Sequence, residues 1–237
     1  MTRRHMLDQR PSSTMIPTTR STLRRLPERG THEWTAVTDI LDAAFLAFVG
    51  FAVEHQPFVI PTLYGREGET LYLHGSAASR MMRELSAGVP ACVTVALVDG
   101  IVLARSAFHH SMNYRSVAAF GTAKKIEDVG QKRAALKVIS NHVLAGRWED
   151  VRLPTDQELK ATTVLELVLE EASAKVRTGP PSDDEADYGL SVWAGVLPLA
   201  LHSSAPEADG RLRAHVPEPA YLANYDRRFR RADESGE

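Results

Sequence analysis

Short apolar segments separated by turn signals constrain this chain more than any other feature of its sequence. Residues 45–53, 58–64 and 71–74 have the length and composition of β-strands. The dipeptide Gln56-Pro57 and the polar turn over residues 65–69, with two glycines, separate them. Such spacing is typical of antiparallel hairpins. Strands and helices do not alternate in the βαβ manner, so a parallel sheet is not expected.

The second half of the chain continues this pattern. Residues 91–98 are almost all apolar or β-branched, which indicates a buried strand. The dipeptide Asp99-Gly100 predicts a hairpin turn into a partner strand over residues 101–108. Further strands are predicted over residues 114–127, 162–169 and 175–178, and helices over residues 35–46, 76–85 and 131–144, while residues 192–201 end the core. The fold class expected is mainly β (α+β), an antiparallel barrel with peripheral helices.

The amino-acid composition argues against several classes of protein. The chain has 237 residues, of which 43% are hydrophobic, and its formal net charge is −2. This charge argues against a generally basic nucleic-acid-binding protein. A single cysteine, Cys92, excludes an internal disulfide and a cysteine-based zinc cluster, and its apolar surroundings indicate an inert core residue. No apolar run approaches the roughly 20 residues of a membrane helix, and the N-terminus lacks an apolar signal core, so a cytoplasmic protein is expected.

Charge is distributed unevenly along the chain. Residues 1–30 contain seven arginines against Asp8 and Glu28, a net charge of +5. Residues 1–20 also lack an apolar period, which predicts a flexible basic arm, with a phosphate-binding or partner-binding arm as the alternative. We therefore expect three regions: the arm over 1–20, a domain over 21–201, and a C-terminal extension over 202–237 that is partly helical or disordered.

The stretch from His74 to Arg80 joins a predicted strand to a predicted helix. Ser76 and Ser79 offer hydroxyl groups and Arg80 offers a guanidinium, which together would form a phosphate cradle. An ordinary serine N-cap with an exposed arginine fits the same spacing equally well.

A second polar stretch follows at residues 108–117. His109, His110, Asn113, Tyr114 and Arg115 lie close together there, an unusual density for a loop between apolar strands. A surface hairpin remains the plain alternative. Adjacent histidines on a strand point to opposite faces and no third ligand is evident, so a metal site is disfavoured.

A tryptophan, Trp193, stands among small residues in the sequence VWAGVLPL (192–199). Such a side chain would either lie over a planar ring or plug a core.

Taken together, these stretches resemble the pyridoxamine 5′-phosphate oxidase-like flavin-binding split barrels, in the branch related to nitroimidazole-resistance flavoproteins. The matching phrases include LPERG (26–30), PFVIPTLYGREGETLYLHGSAASRMMREL (57–85) and DGIVLARSAFHHSMNYRSVAAFG (99–121), as well as VWAGVLPL. The resemblance covers residues 21–201. The chain differs from the vitamin-B6 oxidases near its C-terminus, where those enzymes bind pyridoxal phosphate. Arg211, Arg213 and His215 are the nearest candidates for such a site, and their sequence context does not match it.

The resemblance implies a split β-barrel homodimer with FMN at the subunit interface. The strand residues Ile60, Pro61, Thr62, Leu63 and Tyr64 would run along the isoalloxazine ring. The phosphate would be held by His74, Ser76, Ser79 and Arg80. The partner subunit would contribute Asn113, Tyr114, Arg115 and Trp193.

The expected function is therefore that of an FMN-dependent oxidoreductase. It would pass electrons or hydride from reduced FMN to a small planar acceptor, such as a nitroaromatic or a quinone, with His109 or His110 as weak candidates for a proton donor. The partners expected are a second copy and a small-molecule substrate, with nucleic acid and membrane unlikely. Alternatives are a haem-binding barrel that uses His74, His109 or His110, a barrel for the deazaflavin F420, and a non-catalytic flavin carrier or sensor.

Overall fold

The computed structural model describes residues 14–228. Nine strands form one antiparallel sheet in the order β1-β8-β6-β7-β4-β3-β2-β5-β9, and a further pairing of β5 with β6 closes a barrel. The strands are β1 (Gly30–Thr31), β2 (Leu46–Val53), β3 (Gln56–Glu67), β4 (Thr70–Ser76), β5 (Pro90–Leu103), β6 (Ser111–Lys125), β7 (Thr162–Val168), β8 (Glu171–Arg177) and β9 (Gly195–Pro198). The mainly β, antiparallel split-barrel prediction is confirmed.

Five α-helices and four 3-10 helices surround the barrel. The α-helices are α1 (Trp34–Ala43), α2 (Arg80–Ser86), α3 (Val129–Val143), α4 (Arg147–Asp150) and α5 (Asp156–Ala161). The 3-10 helices cover Pro27–Arg29, Ala107–His109, Glu185–Gly189 and Ala220–Arg228. Within the described chain, no helix has the length and apolar character needed to cross a membrane.

Helix α1 supplies much of the core. Its buried residues Val37, Ile40 and Leu41 repeat at helical spacing and pack against the inward side chains of the strands. The phenol of Tyr64, fully buried on β3, donates a hydrogen bond to the carbonyl oxygen of Leu41. This bond gives a polar group in the core its partner, as buried hydroxyls require.

The turn predicted over residues 65–69 is shorter than expected and covers only Gly68 and Glu69. Gly65 lies inside β3, and a Cβ atom at this position would come within 2.7 Å of the backbone of Ile139 on α3. The glycine is therefore needed for close packing of a helix rather than for a turn. The actual turns follow β2 at Glu54 and His55, which have positive φ, and follow β3 at Gly68.

The hairpin predicted at Asp99-Gly100 is wrong, and so is the separate strand over residues 101–108. Strand β5 runs through both residues with a β-bulge between Val98 and Gly100. Asp99 is buried and accepts hydrogen bonds at 2.8–3.3 Å from Arg115 on β6, so it has a tertiary partner that a turn residue would not need.

The expectation that Cys92 belongs to the core is also wrong. Cys92 is half-buried, and its Sγ lies 3.7 Å from the Thr94 hydroxyl on the same side of β5. The core side of the strand is occupied instead by Val93 and Val95. Alternation along the strand thus turns Cys92 away from the core.

Cys92 belongs to what we call the outer face, the side of β3, β2, β5 and β6 that points away from the core. The strand registers align its residues across the four strands. They are Leu46, Phe48, Val59, Leu63, Cys92, Thr94, Ala96, Val98, Ser116 and Ala118. Phe48 is 42% exposed and Val59 is 63% exposed, so the described chain leaves a broad apolar face uncovered.

Residues 14–29, which we call the N-terminal strap, lie over the sheet next to β8. Thr14 forms a β-bridge with Glu33, Arg20 forms an ion pair with the buried Glu171, and Lys175 donates to the Arg25 carbonyl at 3.0 Å. Residues 14–20 of the predicted arm therefore contact the barrel, whereas residues 1–13 fall outside the described chain.

The C-terminal extension has little regular structure up to residue 219. It then forms the 3-10 helix Ala220–Arg228, where the Tyr221 hydroxyl accepts a hydrogen bond from Arg147 at 3.2 Å. Residues 229–237 lie outside the part of the chain that the structure describes.

Candidate functional site

One edge of β3 has no strand partner over most of its length. Strand β2 pairs with β3 from Gln56 to Leu63, whereas β4 pairs with β3 only from Tyr64 to Glu67. Within the described chain, the other edge of residues 56–63 is therefore open, and its backbone N–H and C=O groups are available to a ligand. The predicted segment Ile60–Leu63 lies on this open edge.

The side chains of that segment divide between solvent and core. Ile60, Pro61 and Leu63 are exposed, and Thr62 is half-buried. Tyr64 is different, because its ring is in the core and its hydroxyl is bound to Leu41. Tyr64 also pairs with Leu73 of β4, so it lies beyond the open edge and its contact with a cofactor stays a prediction.

The predicted phosphate cradle lies beside this open edge. Arg80, the first residue of α2, places its guanidinium 4.7 Å from the centre of the Phe58 ring on β3. This cation–π contact holds the guanidinium beside β3. None of the carboxylates in residues 14–228 forms an ion pair with Arg80.

The two cradle serines have different local roles. Ser76 ends β4, and its hydroxyl accepts a hydrogen bond from the backbone N–H of Ala78 at 3.2 Å. Ser79 is the N-cap residue of α2, but its side chain makes no capping hydrogen bond. Ser79 is thus at the position that the serine-cap alternative gives it, and Arg80 is exposed, so the phosphate cradle stays a prediction.

His74 lies on β4, before the cradle. Its Nδ1 atom is buried and has no hydrogen-bond partner among the described residues. Burial lowers the pKa of this imidazole because the charged form loses hydration. His74 is therefore a neutral group at pH 7 with one unused ring nitrogen.

The predicted residues of β6 lie on a strand that β2 and β5 separate from β3 on one side of the barrel. Asn113 is buried and donates to the Gly179 carbonyl at 3.1 Å, while its side-chain oxygen accepts from Arg177. Arg115 is bound to Asp99 by two guanidinium nitrogens. Tyr114 pairs with Arg177 of β8 in the strand register. Their contact with a cofactor stays a prediction.

Ser106 fixes both candidate histidines. Its hydroxyl lies 2.9 Å from Nδ1 of His109, and its carbonyl accepts from Nδ1 of His110 at 2.8 Å. A carbonyl can only accept, so Nδ1 of His110 carries the proton and its Nε2 keeps a free lone pair. The sequence did not indicate this tautomer, because it depends on the 3-10 helix Ala107–His109.

An acidic loop crosses the same region. Asp183 accepts from Arg105, and Nε2 of His109 lies 3.9 Å from Asp184. The ligand atoms of His109, Asp184 and Asp187 lie within 4.8 Å of one another. Exposed acidic groups commonly take such positions without a metal, so we assign none here.

Trp193 is 68% exposed, which contradicts the core-plug alternative for this side chain. Its indole lies over Gly195, where a Cβ atom would come within 2.8 Å of the ring. Phe58 lies within the phrase 57–85, but the sequence does not indicate it as a site residue, because its contact with Arg80 depends on how β3 and α2 meet.

Comparisons with known proteins show what the chain is similar to. The sequence profile described as pyridoxamine 5′-phosphate oxidase matches residues 33–176. A search of curated proteins finds no match.

Three solved structures are similar over most of their length. The flavocytochrome Anf3 from Azotobacter vinelandii is 40% identical with a TM-score of 0.83, over 89% of this chain and 98% of that chain. A FAD and heme binding protein from Mycobacterium smegmatis is 34% identical with a TM-score of 0.80, over 84% and 97%. A Bacteroides thetaiotaomicron protein named for 5-nitroimidazole antibiotic resistance is 27% identical with a TM-score of 0.53, over 62% and 86%.

Proposed function

Because the chain belongs to the pyridoxamine 5′-phosphate oxidase family, we propose that it is a flavin-dependent oxidoreductase that binds FMN beside β3. The observation that carries this proposal is the open edge of Gln56–Leu63 next to the guanidinium of Arg80. The acceptor we propose is a small, planar, electron-poor molecule such as a nitroaromatic or a quinone.

The residues present fit the chemical groups of FMN. The phosphate is a dianion, and Arg80, Ser76 and Ser79 offer it a guanidinium and two hydroxyls. The polar ring edge needs backbone donors and acceptors, which the open edge of β3 supplies. The apolar ring face needs exposed hydrophobic side chains such as Leu63.

Bound flavin supplies the hydride and electron transfer. The chain itself binds the phosphate, orients the ring against β3 and limits access of water. His109 and His110 remain the candidates to hold a proton near an acceptor.

The proposed assembly is a homodimer through the outer face. Its central residues are small, including Ala96 and Ala118, and larger apolar side chains such as Phe48 and Val98 flank them. A flat apolar surface of this kind can pack against a second copy of itself. This arrangement would bring Asn113, Tyr114 and Arg115 of the partner towards the flavin.

The visible spectrum of the purified protein tests the proposal. We expect a yellow protein whose absorbance bands are those of a flavin, and mass spectrometry of the heat-released cofactor should identify FMN. FAD contains the same phosphate and ring, and one similar structure is named for FAD, so release of FAD would correct the cofactor and retain the site. A colourless protein that does not take up FMN or FAD would refute the proposal.

Cell fractionation tests the cytoplasmic location that we also propose.

A flavocytochrome is the second candidate, and His110 is the observation that favours it. Its imidazole is exposed, its Nδ1 proton is held by the Ser106 carbonyl, and its Nε2 is free to ligate iron. Metal-binding histidines commonly donate their other ring N–H to a carbonyl or carboxylate oxygen in this way. Two similar structures are named as a flavocytochrome and as a FAD and heme binding protein.

Haem titration distinguishes this candidate. A Soret band that appears with the wild-type protein and is lost in His110→Ala would support haem ligation by this residue. His55→Asn is the matched control, because His55 is an exposed turn residue with positive φ that asparagine also adopts. Failure of the wild-type protein to give a Soret band would reject the candidate.

A further inference from the structure

A cavity of about 490 Å³ lies where the first turn of α3 and the end of α5 meet the last residue of β6 and the first residues of β7. Its volume falls within the range of about 300–1,000 Å³ that is typical of small-molecule sites. Neither Arg80 nor any residue of the outer face lines it. The cavity is therefore separate from the site and the interface proposed above.

The walls of this cavity combine apolar side chains with ammonium groups. The apolar residues are Ala77, Val129 and Leu159, and the cationic residues are Lys125, Lys132 and Lys160. Ligand pockets commonly have this composition, because an apolar surface holds the body of a ligand and a few charged groups fix its orientation.

Two of the three ammonium groups have no carboxylate partner. The acids at the cavity are Glu127 and Asp156, and both are already paired. Glu127 binds Lys125 at 2.9 Å, and Asp156 binds an arginine of α3 at 3.2 Å. Lys132 and Lys160 form no ion pair with any residue between 14 and 228. The cavity thus carries positive charge that an anionic ligand would balance.

Lys132 is held in place by main-chain groups. It is half-buried, and its Nζ donates to the carbonyl oxygens of Leu159 at 2.9 Å and Thr162 at 2.7 Å. These bonds cap the end of α5 and use two of the three N–H donors of the ammonium group. The third donor has no acceptor among the described residues. Capping of α5 therefore leaves one fixed donor of Lys132 for a ligand.

The loop after β4 forms one wall of the cavity. Ala77 belongs to this loop, and its N–H donates to the Ala161 carbonyl at 3.2 Å, which joins the loop to the end of α5. The same loop continues into Ser79 and Arg80 of the predicted phosphate cradle. A ligand in the cavity would therefore lie against the loop that we propose binds the flavin phosphate, but would use different residues.

We propose that this cavity binds a nucleoside monophosphate group, with its phosphate on Lys132 and Lys160 and its base against Leu159 and Val129. Phosphate is an anion that lysine ammonium groups commonly bind, and the volume leaves room for a nucleoside beside it. Two sources have this chemistry, a free nucleotide and the adenylate part of a dinucleotide cofactor. The site is additional to the flavin site of the proposed function.

Calorimetric titration of the flavin-free, full-length protein with AMP gives the first test. We expect one saturable site per chain, and we expect adenosine, which lacks the phosphate, to bind at least tenfold more weakly. AMP binding should also weaken as the ionic strength rises, because salt screens the lysines. Absence of AMP binding, or equal binding of adenosine, would overturn the proposal.

Lysine variants give the second test. Lys132→Gln and Lys160→Gln should each weaken AMP binding about tenfold, the effect of a lost hydrogen bond to a charged group. The matched control is Lys124→Gln, because Lys124 is an exposed neighbour of Lys125 that does not line the cavity. Lys160→Gln decides the matter if Lys132→Gln does not fold, and wild-type affinity in Lys160→Gln would overturn the proposal.

The variant Arg80→Ala distinguishes the cavity from the cradle. It should bind AMP like the wild type, because Arg80 does not line the cavity. Loss of AMP binding in Arg80→Ala, with none in Lys160→Gln, would place AMP in the cradle and overturn the inference. Wild-type protein that takes up no flavin but binds AMP through Lys160 would overturn the proposed function alone.

Flavin-loaded protein identifies the source of the nucleotide. Protein loaded with FMN should still bind AMP, since FMN has no adenylate part. If protein loaded with FAD no longer binds AMP, the site receives the adenylate of a dinucleotide cofactor. If it binds AMP as before, the site receives a free nucleotide. Either result with FAD supports a nucleotide site in the cavity, whereas loss of AMP binding in the FMN-loaded protein would contradict it.

Discussion

At the scale of single residues, Arg80 is distinguished by what its guanidinium contacts. It lies over the ring of Phe58 rather than against a carboxylate. The sequence could predict the cluster of Ser76, Ser79 and Arg80 because these residues are neighbours in the chain. It could not predict Phe58, because the contact of its ring with Arg80 depends on how β3 and α2 meet.

We predict that Arg80→Ala weakens FMN binding by about 1.5–3 kcal/mol, the usual loss for a hydrogen bond to a charged group. Titration of the apoprotein with FMN, followed by fluorescence, measures this loss. Arg152→Ala is a suitable control, because Arg152 is exposed and its partner is Glu158, away from the cradle. Equal affinity in the two variants would place Arg80 outside the phosphate site.

A second prediction concerns pH and His74. Burial lowers the pKa of this imidazole below its ordinary value of 6.5. The unfolded chain therefore binds a proton more readily than the folded chain, and the free energy of unfolding should fall as the pH drops below about 6.5. Above that pH both states are neutral and the contribution is complete.

Urea unfolding of wild type and His74→Gln at pH 7.5 and pH 5.5 checks this prediction. The wild type should lose more stability between the two pH values than the variant, since glutamine does not titrate. The same pH dependence in both proteins would show that other groups are responsible.

At the scale of helices and strands, the sequence predicted the number and direction of the main strands well. Apolar and β-branched runs such as Val93 to Val95 indicate strands wherever they occur. Two of the errors fell on glycines, because Gly65 serves close packing and Gly100 lies at a bulge instead of in a turn. Glycine takes any of these roles, and the neighbour that decides between them is distant in the sequence.

Gly65→Ala tests this packing role. The added Cβ would come within 2.7 Å of the α3 backbone, so we expect a loss of about 1–3 kcal/mol in unfolding free energy, as for an overpacked core. Gly189→Ala is the matched control, since no atom lies within 4 Å of a Cβ there. Chemical denaturation of both variants measures the difference in unfolding free energy. If Gly65→Ala is as stable as the wild type, α3 can move away from the added Cβ without a loss of unfolding free energy.

At the scale of the whole molecule, the uncovered outer face is the surface through which we propose that two copies assemble. We predict that Ala96→Arg, at the centre of this face, gives a folded monomer that no longer retains FMN. Binding and assembly are linked by mass action, so FMN should also raise the stability of the wild-type dimer. Sedimentation with absorbance detection of the flavin measures both effects.

Leu153→Lys serves as the control for that experiment, because Leu153 is an exposed apolar residue away from the outer face. It should remain dimeric and yellow. A monomeric wild-type protein with stoichiometric flavin would contradict the dimer and would remove the need for a partner at the site.

The N-terminal strap has a consequence for how the protein is made. The Lys175 side chain that binds the Arg25 carbonyl is 150 positions further along the chain, so during translation the strap leaves the ribosome long before its partner strand exists. Contacts over such a separation form late, because the intervening chain must first be closed into a loop. The arginines of the strap therefore stay in solvent while the nascent barrel grows, and β8 can receive them only when synthesis of the domain is nearly finished.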